Sequence, residues 1–308
     1  MKLMKIAGSL CMLLALVACH SHKQQDTHTH SHKEVDDYFG AYTLADPTYG
    51  TETVVVIEGQ HRVMETNALP NHNTGDFPNA GNPNRIRAQN RRYTIPLEPT
   101  YTGVAKWARE PGVALNGVKF EPETAEVVEC ASGERYRVEA VQDLIDLGLD
   151  HHHAHVQPTG AYHYHGTPTG VVKAFDQGED LVHIGFAMDG FPIYYSKSGA
   201  YRPSYRKIDE TREGTDCTYE NPHVRVAVDL DGTHANGTYV SDWEYVPDLG
   251  DLDECNGITI DGEYRYLVTD DYPFVGRCLM GEFVEARRPM GPPPGGRPPR
   301  GRRPNGRG

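Results

Sequence analysis

The sequence predicts a mainly β protein, built as one antiparallel, sandwich-like domain with long Asn/Pro loops and a single short helix. Runs of β-branched and aromatic residues recur along the chain: ETVVVIEG, YRVEAV, GVVKAF, VHIGFAM, VRVAVDL, TYVSDWEY and ITIDGEYRYLVT. Each is bounded by Gly, Pro, Asn or Asp. Only VQDLIDLG, with Val141, Leu144 and Ile145 on one face and Gly148 as its stop, has helical spacing. Setting both ends aside leaves about 240 residues, 41–284, enough for one domain with a real core.

The chain opens with Lys2 and Lys5 ahead of an apolar run, Ile6 to Val17, which is too short to span a bilayer. The run ends in Leu16-Val17-Ala18-Cys19, which resembles the lipobox of bacterial lipoproteins. That resemblance implies a signal peptide over 1–18, cleavage before Cys19 and lipid on the Cys19 thiol. The expected location is the bacterial cell envelope, tethered to a membrane surface outside the cytoplasm. Residues 19–40 are His-rich (His20, His22, His28, His30, His32) and without apolar periodicity, as expected of a disordered tether.

Export also accounts for the cysteines. Cys130, Cys217, Cys255 and Cys278 remain in the mature chain, an even number in an oxidising compartment. Three pairings are open; the one expected is Cys130–Cys217 with Cys255–Cys278.

Residues 66–101 are rich in Asn and Pro and read as one long ordered loop. At the far end, 285–308 is a Pro/Gly/Arg tail whose residues 287–308 hold seven arginines and no acidic residue, so the body is more acidic than the net charge of -13 indicates. An acidic body argues against nucleic acid as a partner. Protein partners are not legible.

The richest stretch is DHHHAHVQPTGAYHYHGTPTG, residues 150–170. Pro158-Thr159-Gly160 suits a three-residue hairpin loop, with Gly in the left-handed position. In that register Gln157 faces Ala161, His155 faces His163 and His153 faces His165. Alternation then puts all four imidazoles on one face and Ala154, Val156, Tyr162 and Tyr164 on the other. Opposed Cβ atoms about 4.5–5.5 Å apart let imidazole nitrogens meet a metal at about 2.0–2.1 Å. Such a set suits transition metals, with copper ahead of zinc in affinity, and not Ca or Mg. The competing reading is a solvated loop whose histidines pair with Asp143, Asp146 or Asp150.

ITIDGEYRYLVT holds a second hairpin signal at Asp261-Gly262, and EYRYLVT echoes AYHYHGT. Tyr264 and Tyr266 match Tyr162 and Tyr164, while Arg265 and Leu267 stand where His163 and His165 stood. This reads as a degenerate second copy that keeps the packing face and lacks the imidazoles.

Six segments, ALPNHNTGDFPNAGNPNRI, GVALNGVKFEP, AYHYHGTP, IGFAMDGFPIYY, LDECNG and YPFVGRCLMG, resemble the YHYH-domain family, in family order across most of 66–281. The resemblance supports one YHYH domain over 41–284 and implies export, but little chemistry. Family members often carry a second YHYH-like segment after LDECNG, which Arg265 and Leu267 break here. The usual DGFPIYG is DGFPIYY here, a change expected to alter a turn at Tyr195.

Other polar groups extend the candidate site. His72, in LPNHNTG, could close over the hairpin as a further ligand, and His183, on an apolar strand, is either a ligand or a core histidine. Asp189 is the candidate to orient an imidazole or to act as a general base. DLDGTHANGTYVSDWE lacks the glycine of a calcium loop and reads as a turn. Three functions compete: a lipid-anchored copper- or zinc-binding protein, a metalloenzyme with an open coordination position, and a cell-surface domain without metal.

Overall fold

The computed structural model describes residues 38–220 and 225–284. The expected signal peptide, Cys19, the tether as far as Asp37 and the tail 285–308 lie outside the described residues. Folding begins earlier than the expected residue 41, because Tyr38 packs edge-on against Tyr42 and Phe175, and Phe39 stacks on His183.

In chain order the strands begin with β1 (Tyr42–Asp46), β2 (Thr51–Glu58), β3 (His61–Thr66), β4 (Arg91–Pro96), β5 (Tyr101–Trp107), β6 (Gly112–Ala114) and β7 (Lys119–Phe120). Then come β8 (Val127–Glu129), β9 (Arg135–Arg137), β10 (Ala154–Val156), β11 (Tyr162–Tyr164), the helix α1 (Thr169–Phe175), β12 (Leu181–Ala187) and β13 (Pro192–Ser196). The last are β14 (Tyr205–Lys207), β15 (Cys217–Glu220), β16 (Arg225–Val228), β17 (Trp243–Tyr245), β18 (Gly257–Ile260), β19 (Glu263–Val268) and β20 (Cys278–Gly281).

The first four strands form an antiparallel meander whose inward residues, Val55, Met64, Tyr93 and Ile95, share one core with Leu115, Phe120, Ile184 and Phe186 of the central layer. Two sheets facing across a common core is the sandwich-like arrangement the alternating runs anticipate. The central sheet has eight strands in the order β10-β11-β7-β6-β12-β13-β19-β18. It is mixed rather than purely antiparallel: β11 runs parallel to β7, and β13 parallel to β19. In each case the chain leaves one hairpin, makes an excursion and returns alongside it.

That sheet is pseudo-twofold. The pair Val113↔Phe186 sits at its centre, between Gly112↔Ala187 and Ala114↔Gly185. The β6–β7 turn at Asn116-Gly117 matches the β12–β13 turn at Asp189-Gly190, with both glycines at positive φ. Asp150 accepts from Tyr162 Oη at 2.6 Å, as Asp253 does from Tyr264 Oη at 2.7 Å. Asn116 donates to Tyr164 Oη where Asp189 accepts from Tyr266 Oη. The second copy read from EYRYLVT is therefore part of a duplicated four-strand unit. Its residues at the positions of His155, His163 and His165 are Ile258, Arg265 and Leu267.

Three expectations are corrected. VQDLIDLG is not helical: the Gln142 amide accepts from the backbone of Leu144 and Ile145 and donates to the Ile145 carbonyl, closing a local turn that competes with a helix. Among the described residues the one α-helix is α1, Thr169–Phe175, which takes in GVVKAF, a run its β-branched residues suggested was a strand; Pro168 precedes it and Gly170, Val171 and Phe175 are its buried face. Third, the Asn/Pro loop ends at residue 90, because alternating Tyr93 and Ile95 carry β4 into the meander. The remainder is ordered as expected: Asn82 and Asn84 both donate to the Val156 carbonyl, and Arg87 N donates to Gly160 O.

The calcium-like segment closes on a guanidinium. Arg212 donates to both Asp242 carboxylate oxygens, Thr233 Oγ1, the His234 carbonyl and Asn236 Oδ1. The disulfides are Cys130–Cys217 and Cys255–Cys278, as expected. The first closes 87 residues and lies in the smaller core with Val128, Val138 and Tyr219. Replacing Cys130 and Cys217 together by Ser should lower unfolding free energy by roughly 2–5 kcal/mol in urea denaturation, while the Cys255–Cys278 bridge still forms by mass spectrometry.

Candidate metal centre

The hairpin turns where the sequence places it. Gly160 takes φ +91, Gly160 N donates to Gln157 O, and Gln157 N donates to Ala161 O. His155 then pairs with His163 in an antiparallel ladder, flanked by Ala154↔Tyr164 and Val156↔Tyr162. Both faces of this ribbon are buried. Tyr162, Tyr164, Ala154 and Val156 fill the main core, and the imidazoles occupy the other side.

Three of the four hairpin histidines, out of six expected ligands, converge. His165 Nε2 lies 3.0 Å from His163 Nε2 and 3.1 Å from His155 Nε2. The residues are only 8% (His155), 2% (His163) and 2% (His165) exposed. His153 does not join them. The ladder reaches it, since His165 N donates to His153 O, but its φ of +49 turns the side chain out of the strand, and its Nδ1 lies 3.3 Å from the Thr167 carbonyl. Asn256, at the same place in the second copy, also has positive φ, so the turn belongs to the scaffold.

Proton positions decide what the cluster can do. Carbonyls only accept, so His155 Nδ1 donates to Leu147 O at 2.9 Å and His163 Nδ1 to Ala161 O at 3.2 Å. Each of those rings, neutral and protonated on Nδ1, presents a bare Nε2 lone pair. Only a proton on His165 Nε2 can then separate three lone pairs, and it must serve two acceptors. Meanwhile His165 Nδ1 is buried without a well-formed hydrogen bond, although the Pro122 carbonyl lies beside it. A metal ion would resolve both problems: His155, His163 and His165 would hold it through their three lone pairs, and the His165 proton would sit on Nδ1 facing the Pro122 carbonyl. Nitrogens bound at 2.0–2.1 Å are about 3.3–3.6 Å apart, so the two pairs that include His165 need open by only a few tenths of an ångström.

Electrostatics keeps the donors neutral. Burial, then the neighbouring imidazoles and Lys119, hold His163 well below the usual histidine range. Burial also lowers His165 and His155. Neutral imidazole is the form that binds metal.

Around the cluster runs a polar network that the sequence reading missed. Lys119 Nζ bonds Glu121 at 2.6 Å and Glu110 at 2.8 Å, and Gln157 Nε2 donates to Glu121 at 2.6 Å. Glu139 pairs with Arg277 at 2.6 Å. The available signal was the charged pair Lys119 and Glu121 within the largely apolar GVALNGVKFEP.

His72 does close over the hairpin, but onto its tyrosine face. Its Nε2 accepts from Tyr164 Oη at 2.7 Å and its Nδ1 donates to Asn73 O. His152, also missed, packs against it, and Gly170 is required there because a Cβ would lie 2.4 Å from His72 Cγ. Burial and the His72 ring push His152 down to about 4. His183 is held by the Gly185 carbonyl and the Phe39 ring, away from the cluster.

Asp189 is also elsewhere. It is wholly buried, accepting from Tyr266 Oη and the amides of Phe191 and Gly281. Burial pushes its carboxyl up to about 6 despite those donors.

The site is thus a buried three-histidine cluster on one edge hairpin of a mainly β, pseudo-twofold domain. The chain belongs to the YHYH family: residues 92–281, more than half its length, match the family described as YHYH protein. The Tyr-His-Tyr-His of that name is Tyr162 to His165, the strand that supplies two of the three converging rings. No curated protein and no solved structure matches the chain.

A carboxyl whose folded pKa lies above its unfolded value contributes stability at low pH that is lost as pH rises through the folded value. Asp189→Asn should therefore gain on wild type by roughly 2–3 kcal/mol between pH 4 and pH 7. Denaturant unfolding at the two pH values measures it; an unchanged difference would rule out a buried, reluctant carboxylate.

Proposed function

We propose that this chain is a transition-metal-binding protein of the bacterial cell envelope, held to a membrane by lipid on Cys19. One observation carries the metal reading: three buried imidazoles bring their ligand nitrogens within 4.8 Å of one another with too few protons to keep the lone pairs apart. Export is supported by the signal-like N-terminus, the lipobox-like LVAC and the two disulfides. The His-rich tether would concentrate ions near the folded site.

Copper fits better than zinc. Structural zinc closes with four ligands and catalytic zinc adds water to three. Here the described residues offer a group of three, already enclosed. Copper also stands above zinc in affinity for such donors. The domain's large groove, about 750 Å³, is lined by Leu144, Tyr219, Val228 and Tyr239 among others and by none of the three histidines. Enclosure without a lining cleft favours holding or passing on the ion over substrate turnover. A metalloenzyme is the second reading, favoured by the fourth coordination position that three ligands leave free.

The second copy suggests variants that preserve packing. His155→Ile with His165→Leu installs the residues of the equivalent positions Ile258 and Leu267. Elemental analysis of untagged protein should fall from one copper per chain to none, with the metal-free melting temperature retained. Full copper content in the variant would place the ion elsewhere. Metal-free wild-type protein, after purification and copper challenge, would leave a surface domain whose histidines bind nothing.

A further inference from the structure

The three ligands do not share one electrostatic environment. His163 and His165 lie towards the cations Lys119 and Arg277, whereas the charges acting on His155 are the carboxylates of Glu126, Glu121 and Asp150. A cation therefore meets a favourable field on one side of the cluster and an unfavourable one on the other.

Geometry selects the same side. His155 is the most exposed of the three rings. Its neighbour there is not a strand but the irregular segment 145–149, which reaches it through the Leu147 carbonyl. His163, by contrast, is backed by the β7 ladder through its register with Lys119.

The three carboxylates are not equivalent. Glu121 is neutralised by Lys119 and Arg109. Asp150 is occupied by Tyr162 Oη and by the amides of Gly75, His152 and Ala154. Glu126 is half-buried, and its carboxylate forms no ion pair among the described residues. Of the three it is the one still free to attract an incoming ion.

We propose that the metal ion enters and leaves past His155, between the 145–149 segment and Glu126, and that Glu126 is a steering residue that sets the uptake rate without being a ligand. This rests on reading the three histidines as the metal site. It gives the centre a direction, with a ligand-exchange face at His155 and a closed, cation-backed face at His163 and His165.

The test is stopped-flow uptake of Cu(II) by the metal-free full chain at low and high salt. Glu126→Gln should slow association roughly threefold at low ionic strength, Glu126→Lys more, and the difference should vanish in high salt. Dissociation rate and stoichiometry should match wild type. Glu98→Gln, which removes the same charge from an exposed loop position, is the control and should leave the rate unchanged. Uptake with normal stoichiometry but no response to Glu126, or an equal response to Glu98, would overturn the entry route and leave the metal site standing. Altered stoichiometry in Glu126→Gln would make Glu126 a ligand and also overturn it. Wild-type protein that takes up no copper would overturn both.

Discussion

Burial of β11 on both faces is the constraint on which the rest of the structure depends. A strand of three residues, Tyr162-His163-Tyr164, enters the core with no side turned to water. Each polar atom on it must find a partner inside the protein. On one face the phenols succeed: Tyr162 reaches Asp150, and Tyr164 is held between Asn116 and His72. On the other face the imidazoles reach one another instead, and three rings with carbonyls behind two of them lack the protons to satisfy the set. The tyrosine face closes its hydrogen bonds; the histidine face is left with more lone pairs than protons.

Duplication shows what happens without that shortage. The second hairpin repeats the aspartate brace, the positive-φ turn residue and both tyrosines. Where the first has three imidazoles it has Ile258, Arg265 and Leu267. The Arg265 guanidinium lies over the Tyr194 ring, 5.1 Å from its centroid, where the first copy has Glu121. One half thus carries a guanidinium where the other gathers three imidazoles. The scaffold is common to both, and the difference lies in three side chains per hairpin.

The loops belong to the same logic. Residues 67–90 have no regular structure, yet their Asn amides cap the Val156 carbonyl and His72 caps Tyr164, so a long irregular segment serves as the hairpin's hydrogen-bond complement. The segment 229–242 does the equivalent for Arg212. Among the described residues, the oxygen-rich segment that resembles a cation loop is closed around the protein's own Arg212.

Much of this was legible before any coordinates. Alternation and a Pro-Thr-Gly turn fix which side chains share a face, because strand period and loop length leave no freedom of register; so His155, His163, both tyrosines and the repeat could be read directly. Short-range patterns failed where long-range packing outweighed them. The Val-Val of α1 follows the helix because its buried face is needed against the core, and VQDLIDLG stays irregular because Gln142 satisfies the local backbone. His153 was lost to a positive φ imposed by the turn that starts the strand, and His72 chose the tyrosine face because Tyr164 had a hydroxyl to donate. Sequence alone determined which residues could meet, since alternation is local; only the tertiary structure decided which did, since burial, proton supply and the approach of distant segments are properties of the assembled core.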